Sequence, residues 1–198
     1  MPPDHPARHP SGRRDADRLF LAVALTEEAR RGLEAHLREA LGGHALPGRP
    51  VAAASWHLTL RFLGGTPGTV RARLVDELRT ADLGSRFTLD FDRLGAFPRP
   101  ARATVLWLGV AEGERELRAL AAEVEEAVRR AGLPPEPRDF SPHLTLSRIR
   151  PAQDVRSLLE RTPPFRERMP VDAVVLFRSH LGAGGARYEA LEHFPLRP

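Results

Sequence analysis

The sequence contains no cysteine and no lysine, so all of its 30 basic residues are arginine. Without cysteine, the chain cannot form a disulfide framework, a thiol nucleophile or a cysteine-ligated zinc site. A coding bias explains the choice of arginine over lysine, but it does not explain the formal net charge of +4. Because arginine binds phosphate groups in a bidentate manner, this excess suits a polyanionic partner without establishing one.

Long apolar segments are also missing. No apolar run approaches the roughly 20 residues that a membrane span needs, and the N-terminus lacks the apolar core of a secretory signal. These absences predict a cytoplasmic protein with no membrane partner. Residues 1–17 are rich in proline, arginine, histidine and aspartate without any periodicity, which predicts a disordered tail before a single domain at 18–198.

The remaining sequence predicts alternating groups of strands and helices. Strands are predicted over residues 18–25, 56–65, 87–97, 103–111, 141–150, 171–182 and 187–196. Helices are predicted over residues 26–41, 67–83, 114–131 and 152–161. Several consecutive strands are joined by short loops, which favours antiparallel pairing, so the predicted fold class is α+β.

The tetrapeptide His-Leu-Thr-Leu occurs twice, beginning at His57 and at His143. In a strand, alternate residues face opposite sides, so each copy presents a histidine beside a threonine and buries its two leucines. At this composition about 0.4 chance copies of His-x-Thr are expected, but the full tetrapeptide falls below about 0.01. One copy alone is best explained as an ordinary strand, whereas the pair indicates a shared site.

Two imidazoles on facing strands suit acid–base chemistry at a phosphodiester. Histidine titrates near neutrality, so one ring can accept a proton from the nucleophile while the other donates one to the leaving oxygen. In-line displacement needs these two groups on opposite sides of phosphorus. The hydroxyls of Thr59 and Thr145 could then hold the non-bridging oxygens.

Metal and serine-nucleophile alternatives have weaker support. Zinc prefers three or four histidine, cysteine or carboxylate ligands, and neither copy of the tetrapeptide contains a carboxylate. The Gly-x-Ser-x-Gly elbow typical of one class of serine hydrolases is absent. The sequence therefore predicts neither a metal site nor a cofactor.

These motifs resemble the two-histidine (2H) phosphoesterase superfamily, which is defined by two His-x-Thr-x motifs. Within it, the chain is similar to the bacterial RNA 2′,3′-cyclic phosphodiesterases, also called 2′-5′ RNA ligases. The resemblance spans residues 18–196 and keeps the family order. It includes "RLFLAVAL", "HLTLRFLG", "LGAFPRPARATVLWLGV", "GLPPEPRDFSPHLTLSRIR" and "RSHLGAGGARYEALEHFPL".

The resemblance implies a bilobal fold with pseudo-two-fold symmetry, in which two antiparallel sheets face a central cleft and helices lie outside. It implies metal-free hydrolysis of RNA 2′,3′-cyclic phosphate ends to 2′-phosphates, with His57 as proton donor and His143 as proton acceptor. The implied partners are RNA ends, including those of tRNA fragments, and the implied state is a monomer. Reverse ligation to a 2′-5′ linkage would use the same residues.

Four further residues are candidates for substrate binding. Strand parity places Arg61 on the face of His57, whereas it places Arg148 opposite His143 unless the strand twists or bulges. A solvated arginine is an equal alternative for Arg61. Phe20 could stack a base, although a core position is the better prediction, and Tyr188 matches a family position that packing explains at least as well.

Two other functions stay open at this point. The first is a related two-histidine activity that opens a cyclic phosphate on a small nucleotide or an ADP-ribose derivative, because substrate choice resides in loops that the motifs do not report. The second is a non-catalytic module that binds RNA ends, which the positive charge would suit. Two intact motifs argue against the module, since binding does not require both imidazoles beside both hydroxyls.

Overall fold

The computed structural model describes residues 16–182 and 185–198, and these residues form the predicted α+β fold. The strands are β1 (Ala16–Ala24), β2 (Arg49–Pro50), β3 (His57–Pro67), β4 (Phe87–Phe97), β5 (Ala103–Val110), β6 (Leu144–Gln153), β7 (Arg168–Val171), β8 (Ala173–Gly182) and β9 (Gly185–Pro195). The α-helices are α1 (Glu27–Ala40), α2 (Gly68–Thr80), α3 (Glu114–Arg130) and α4 (Arg156–Arg161), and short 3-10 helices cover Ala53–Ser55 and Pro100–Arg102.

The strands form one sheet with the order β7-β4-β5-β6-β3-β1-β8-β9, and β2 adds to β6. All pairs between these strands are antiparallel. The two sheets expected from the resemblance are therefore the two halves of one continuous sheet. They meet at a single pair, Leu58 of β3 opposite Leu144 of β6. Each half has a His-Leu-Thr-Leu strand at this junction, as pseudo-two-fold symmetry requires.

One face of the central strands is covered and the other is open. Leu58, Leu60, Leu144 and Leu146 are buried, whereas the histidines and threonines between them are partly exposed. Helices α2 and α3 pack against each other and against β3. Their apolar stripes, which include Leu74, Leu78, Leu117, Leu120 and Val124, are buried in the same core. The alternation predicted from the sequence thus decides which face stays accessible.

Helix α1 begins as its sequence predicts. The Thr26 hydroxyl accepts a hydrogen bond from the backbone N–H of Ala29 at 3.2 Å, and Glu27 and Glu28 occupy the first turn. The cap satisfies an amide that the helix cannot, and acidic side chains favour the positive end of the helix dipole. Leu33 and Leu37 then bury one face of the helix, so the local signals and the core agree.

Several boundaries differ from the predictions. Strand β1 begins at Ala16, inside the predicted tail, because Ala16 and Asp17 pair with the end of β3, and the Asp17 carboxylate also accepts hydrogen bonds from Arg71 and Arg178, each at 2.8 Å. Residues 1–15 lie outside the described part, so the tail there remains a prediction. Strand β6 extends to Gln153 where a helix was expected to start. The short strands β2 and β7 were not predicted, because two to four residues carry too little pattern.

The sequence has three glycines where the last two predicted strands meet, Gly182, Gly184 and Gly185, which favours a tight turn there. Gly182 and Gly185 pair with each other at the ends of β8 and β9, so these strands form the expected hairpin. Gly184 lies outside the described residues.

Candidate active site

The register between β3 and β6 brings the two histidines together. Leu58 and Leu144 occupy the same position in the two motifs and lie directly opposite each other. Continued by one residue in each direction, this antiparallel register places His57 beside Thr145 and Thr59 beside His143. Both histidines and both threonines therefore point to the open face. The predicted constellation of two imidazoles and two hydroxyls is present in the fold.

The two imidazoles are held in the same way. His57 Nδ1 donates to the Ser55 carbonyl oxygen at 2.8 Å, and His143 Nδ1 donates to the Ser141 carbonyl oxygen at 2.7 Å. Because a carbonyl oxygen can only accept, Nδ1 must carry the hydrogen in both rings. The other nitrogen, Nε2, is then the atom that gains or loses a proton near neutrality. Each ring is thus fixed in a tautomer suited to acid–base work.

Burial lowers the pKa of both imidazoles below the usual 6.5. The hydrogen bonds to Ser55 and Ser141 oppose this shift, because they stabilise the protonated rings. The guanidinium of Arg148 lowers both pKa values further, and the charge of His143 lowers the pKa of His57. The site therefore disfavours double protonation in the absence of an anion, and one ring can stay neutral beside a charged one.

We expect both imidazoles of the free protein to deprotonate below pH 6.5. The unfolded chain binds these protons up to about pH 6.5, while the folded chain releases them at lower pH. The free energy of unfolding should therefore fall as pH drops below about 6.5, because the unfolded state binds more protons there. NMR titration of the ring resonances checks the pKa values, and a titration above 6.5 in the free protein would contradict this account.

Three aromatic side chains pack around His57. Tyr188 meets the imidazole edge-on at a centroid distance of 5.1 Å, and Phe20 lies 4.8 Å from it. Phe20 itself is only 2% exposed and stacks on Phe177 at 5.2 Å. The proposal that Phe20 stacks a substrate base is therefore wrong, since no base can reach its ring. The buried ring of Phe20 packs against His57, whereas Tyr188 and Phe177 line a pocket of about 130 Å³ beside it.

A second aromatic pair packs against His143. Phe97 meets its imidazole edge-on at 5.1 Å, and Trp107 lies 6.4 Å away. Trp107 pairs across the sheet with Thr145, so it shares the open face, where it is only partly buried. A Cβ at Gly95 would lie within 2.2 Å of the indole. Because Gly95 has no side chain, the indole ring can lie over the strand at this point. This glycine is the feature of the sequence that could have indicated the position of Trp107.

Each motif strand contains a β-bulge at the same place. In β3, Thr59 pairs with Ala22 and Arg61 with Leu21, which leaves Leu60 as the extra residue. In β6, Thr145 pairs with Trp107 and Ser147 with Leu106, which leaves Leu146 as the extra residue. A bulge shifts the alternation by one position. Consecutive burial of residues 60–61 and 146–147 is the result.

The bulge in β3 contradicts the predicted place of Arg61. Its side chain turns away from His57 and is 8% exposed. Arg61 donates to Glu125 at 2.6 Å, to Glu136 at 3.0 Å, and to the carbonyl oxygens of Phe62 and Pro134. Arg61 therefore anchors the segment before the second motif to helix α3 and does not contact substrate.

We expect Arg61→Met to lower the free energy of unfolding by about 3 kcal/mol, because it leaves Glu125 without its counter-charge and Glu136 with only the exposed Arg138. Arg31→Met is the matched control, since Arg31 is largely exposed and, among the described residues, pairs only with Glu27 on its own helix, where a pair contributes about 0.3–0.5 kcal/mol. Urea unfolding measures both changes. Equal losses in the two variants would show that the buried network contributes no more to the free energy of unfolding than an exposed ion pair.

The bulge in β6 has the opposite effect for Arg148. It restores Arg148 to the face of His143 and Thr145, which meets the condition that the sequence left open. The positive charge of Arg148 lowers the pKa of both imidazoles. The equivalent residue of the first motif is Phe62, which is 52% exposed. The open face is therefore cationic beside His143 and aromatic beyond His57.

The threonines are available for a ligand. Thr59 and Thr145 are partly exposed, and within residues 16–182 and 185–198 their hydroxyls make no hydrogen bond to protein. In the same part of the chain, no three His, Asp or Glu side chains cluster in a way that could hold a metal ion. None of the described helices is long and apolar enough to cross a membrane.

Comparison with known proteins agrees with this geometry. The model of the 2′-5′ RNA ligase superfamily matches residues 24–183. The RNA 2′,3′-cyclic phosphodiesterase of Escherichia coli K12 is 32% identical over 185 residues, which are 92% of this chain and 98% of that protein. The enzyme of the same name from Aeropyrum pernix is 37% identical over 129 residues, 65% of this chain and 73% of that protein.

Solved structures give the same result. E. coli LigT complexed with 3′-AMP superposes with a TM-score of 0.76 at 32% identity, covering 91% of this chain and 98% of that one. TT0787 of Thermus thermophilus superposes with a TM-score of 0.66 at 34% identity, with the same coverage of both chains. With both His-x-Thr motifs intact at the junction of the sheet, this chain belongs to the 2′-5′ RNA ligase superfamily of two-histidine phosphoesterases.

Proposed function

We propose that this protein is an RNA 2′,3′-cyclic phosphodiesterase. The observation that carries the proposal is the antiparallel pairing of two identical His-Thr units, each with Nε2 of its imidazole free and Nδ1 bonded to a backbone carbonyl. Relatives that cover nearly the whole chain have this name. The substrate class proposed here is RNA that ends in a 2′,3′-cyclic phosphate. The cytoplasmic location, the monomeric state and tRNA fragments as substrates stay predictions.

The proposed reaction is a single in-line displacement at phosphorus. Neutral His143 takes a proton from water at Nε2, and the water oxygen forms a bond to phosphorus. The bond between phosphorus and the 3′-oxygen breaks, and His57 donates its Nε2 proton to that oxygen. The product has a 2′-phosphate and a 3′-hydroxyl, and proton exchange with solvent restores both rings. With an RNA 5′-hydroxyl in place of water, the same forward steps form a 2′-5′ linkage, and their reversal cleaves that linkage to a cyclic phosphate and a 5′-hydroxyl.

The remaining polar groups would bind the phosphate. Thr59 and Thr145 flank the position between the imidazoles, where their hydroxyls can donate to the non-bridging oxygens. Arg148 adds a guanidinium that offsets the charge of the five-coordinate transition state. A bound anionic phosphate also raises the pKa of both histidines, which lets His57 hold the proton that it must donate.

The pocket beside His57 provides a place for a nucleobase. Its volume of about 130 Å³ and its walls of Tyr188, Phe177 and Trp56 suit a flat ring. Phe62 extends this apolar region along the open face. The aromatic side of the cleft would therefore take the base of the terminal nucleotide, and the cationic side would take its phosphate.

We expect the purified protein to open cyclic-phosphate-ended RNA in EDTA and to release a 2′-phosphomonoester. Chromatography against 2′- and 3′-phosphate standards identifies the product. Nucleoside 2′,3′-cyclic phosphates and a cyclic phosphate of ADP-ribose, assayed in parallel, test the related small-molecule activities. Complete loss of turnover in EDTA would contradict the metal-free reaction. A 3′-phosphate product would show that the 2′-oxygen leaves and that the substrate lies in the opposite direction. Tight RNA binding without turnover would indicate a binding module.

A further inference from the structure

A second cationic side chain lies beside Arg148. Strand β2 runs along β6 with Arg49 directly opposite Arg148. The segment is tightly fixed, since Ser147 Oγ donates to the Pro47 carbonyl oxygen and the Val51 N–H donates to the Leu146 carbonyl oxygen at 2.8 Å. Gly48 has a φ of +76° and approaches β6 so closely that a Cβ would lie 2.5 Å from the Arg148 oxygen. The position of Arg49 is therefore built into the fold.

This pair of like charges has no counter-ion in the described protein. Directly opposite residues in an antiparallel pair have Cβ atoms about 5 Å apart on the same face, and like charges there are destabilising. Within residues 16–182 and 185–198, no carboxylate lies within 4.0 Å of either guanidinium. Both side chains are exposed. An anion bound between them would remove the repulsion.

The second half of the molecule has an acidic residue at the position that corresponds to Arg49. The segment Leu-Pro-Gly-Arg-Pro (46–50) precedes the first motif, and Leu-Pro-Pro-Glu-Pro (133–137) precedes the second. Pro47 and Pro134 accept equivalent hydrogen bonds, from Ser147 and Arg61. Glu136 takes the place of Arg49 and pairs with Arg61 at 3.0 Å. The fold therefore accommodates an acidic residue at this position in one copy and an arginine in the other.

We propose that Arg49, beside Arg148 at the reacting phosphate, forms an anion subsite for the phosphodiester group immediately 5′ of the terminal nucleotide, a proposal that rests on the proposed function. Arg148 lies close to the reacting phosphate, and Arg49 continues the cationic face along β2, away from the junction of β3 with β6. A single-stranded RNA end carries its next negative charge one nucleotide upstream. The subsite would make the enzyme prefer an oligonucleotide end over a free cyclic nucleotide.

The test compares a cyclic mononucleotide with a dinucleotide that ends in the same cyclic nucleotide. The dinucleotide is also made with a neutral methylphosphonate in place of its phosphodiester. We expect Arg49→Gln to lower the ratio of kcat/KM for the dinucleotide to that for the mononucleotide about tenfold, as expected for one exposed charge-assisted hydrogen bond. The methylphosphonate should lower the ratio equally in the wild-type protein, and it should cause no further loss in Arg49→Gln.

Arg115→Gln is the control for net charge, because Arg115 is 92% exposed on helix α3 and, in the described part of the chain, pairs only with Glu116. An unchanged ratio in Arg49→Gln, an equal loss on both substrates, or additive effects of the variant and the methylphosphonate would each overturn the subsite. The melting temperature of Arg49→Gln should not fall, since the substitution removes a repulsion. A clear fall would instead assign Arg49 a structural role.

A binding measurement separates failure of the subsite from failure of the proposed function. If the wild-type protein opens neither substrate, the proposed function fails. Calorimetric dissociation constants of the corresponding 2′-phosphate mononucleotide and dinucleotide then give the same ratio without turnover. A tenfold fall of that ratio in Arg49→Gln supports the anion subsite, and an unchanged ratio overturns it. The slope of log affinity against log salt should also decrease by about 0.7 for one lost contact to a single strand.

Discussion

Replacing either His57 or His143 by alanine should lower kcat/KM for cyclic-phosphate-ended RNA by at least about 100-fold. Each imidazole performs one proton transfer, and such a transfer contributes about 10²–10⁴ in rate. The symmetric geometry supports similar losses, because both rings have the same tautomer and the same bond to a serine carbonyl. Steady-state kinetics at several pH values measure the loss. The wild-type profile of kcat should be a bell with both limbs near neutrality, because the bound phosphate raises the two pKa values that burial lowers in the free protein.

The double variant gives a further test of concerted action. Two groups that act in one step are strongly non-additive, so removing both should cost less than the product of the single losses. His193→Ala is the matched control, since His193 is exposed on β9, outside the cleft contacts described above, and should retain full activity. A flat pH profile with near-normal rates for both single variants would mean that the repeated motif is only two well-packed strands.

The sequence predicts the centre of this site because the centre depends on strand alternation. Each tetrapeptide places its own histidine and threonine on one face of its strand whatever the partner strands are. The pairing of β3 with β6 then joins the two faces. The same rule is wrong for Arg61 and leaves Arg148 undecided, since both lie beyond a bulge. A bulge depends on the pairing of neighbouring strands, which local sequence does not encode.

Features that depend on distant contacts were also missed. Trp107 lies in an apolar strand, a pattern that by itself indicates a core position. Only its neighbours in the structure show that it faces the cleft beside His143. The relation between segments 46–50 and 133–137 has a visible sequence signal, but two proline-rich loops ordinarily indicate no more than turns. Their common role becomes clear when both are seen beside a motif strand, where Pro47 and Pro134 accept equivalent hydrogen bonds.

The acid and base roles should separate when the leaving group no longer needs a proton. A 3′-deoxynucleoside 2′-(4-nitrophenyl phosphate) keeps the base, the sugar and the attacked phosphorus, and it places nitrophenolate where the 3′-oxygen would leave. Nitrophenolate departs as a stabilised anion, so the general acid contributes little. Attack by water still requires the general base. The missing 3′-hydroxyl prevents the sugar from cyclising and competing with water.

On this substrate we expect His57→Ala to stay within about tenfold of the wild-type rate, while His143→Ala loses at least about 100-fold. Release of nitrophenolate, followed by absorbance, measures both rates. The limb of the pH profile at higher pH should also disappear in the wild-type protein, because that limb reports the protonated acid. Because the site is pseudo-symmetric, the alternative to test is His143 as the acid and His57 as the base. Rescue of His143→Ala with loss in His57→Ala would exchange the two roles and reverse the direction in which the ribose lies, and equal losses in both variants would show that neither ring acts only as an acid.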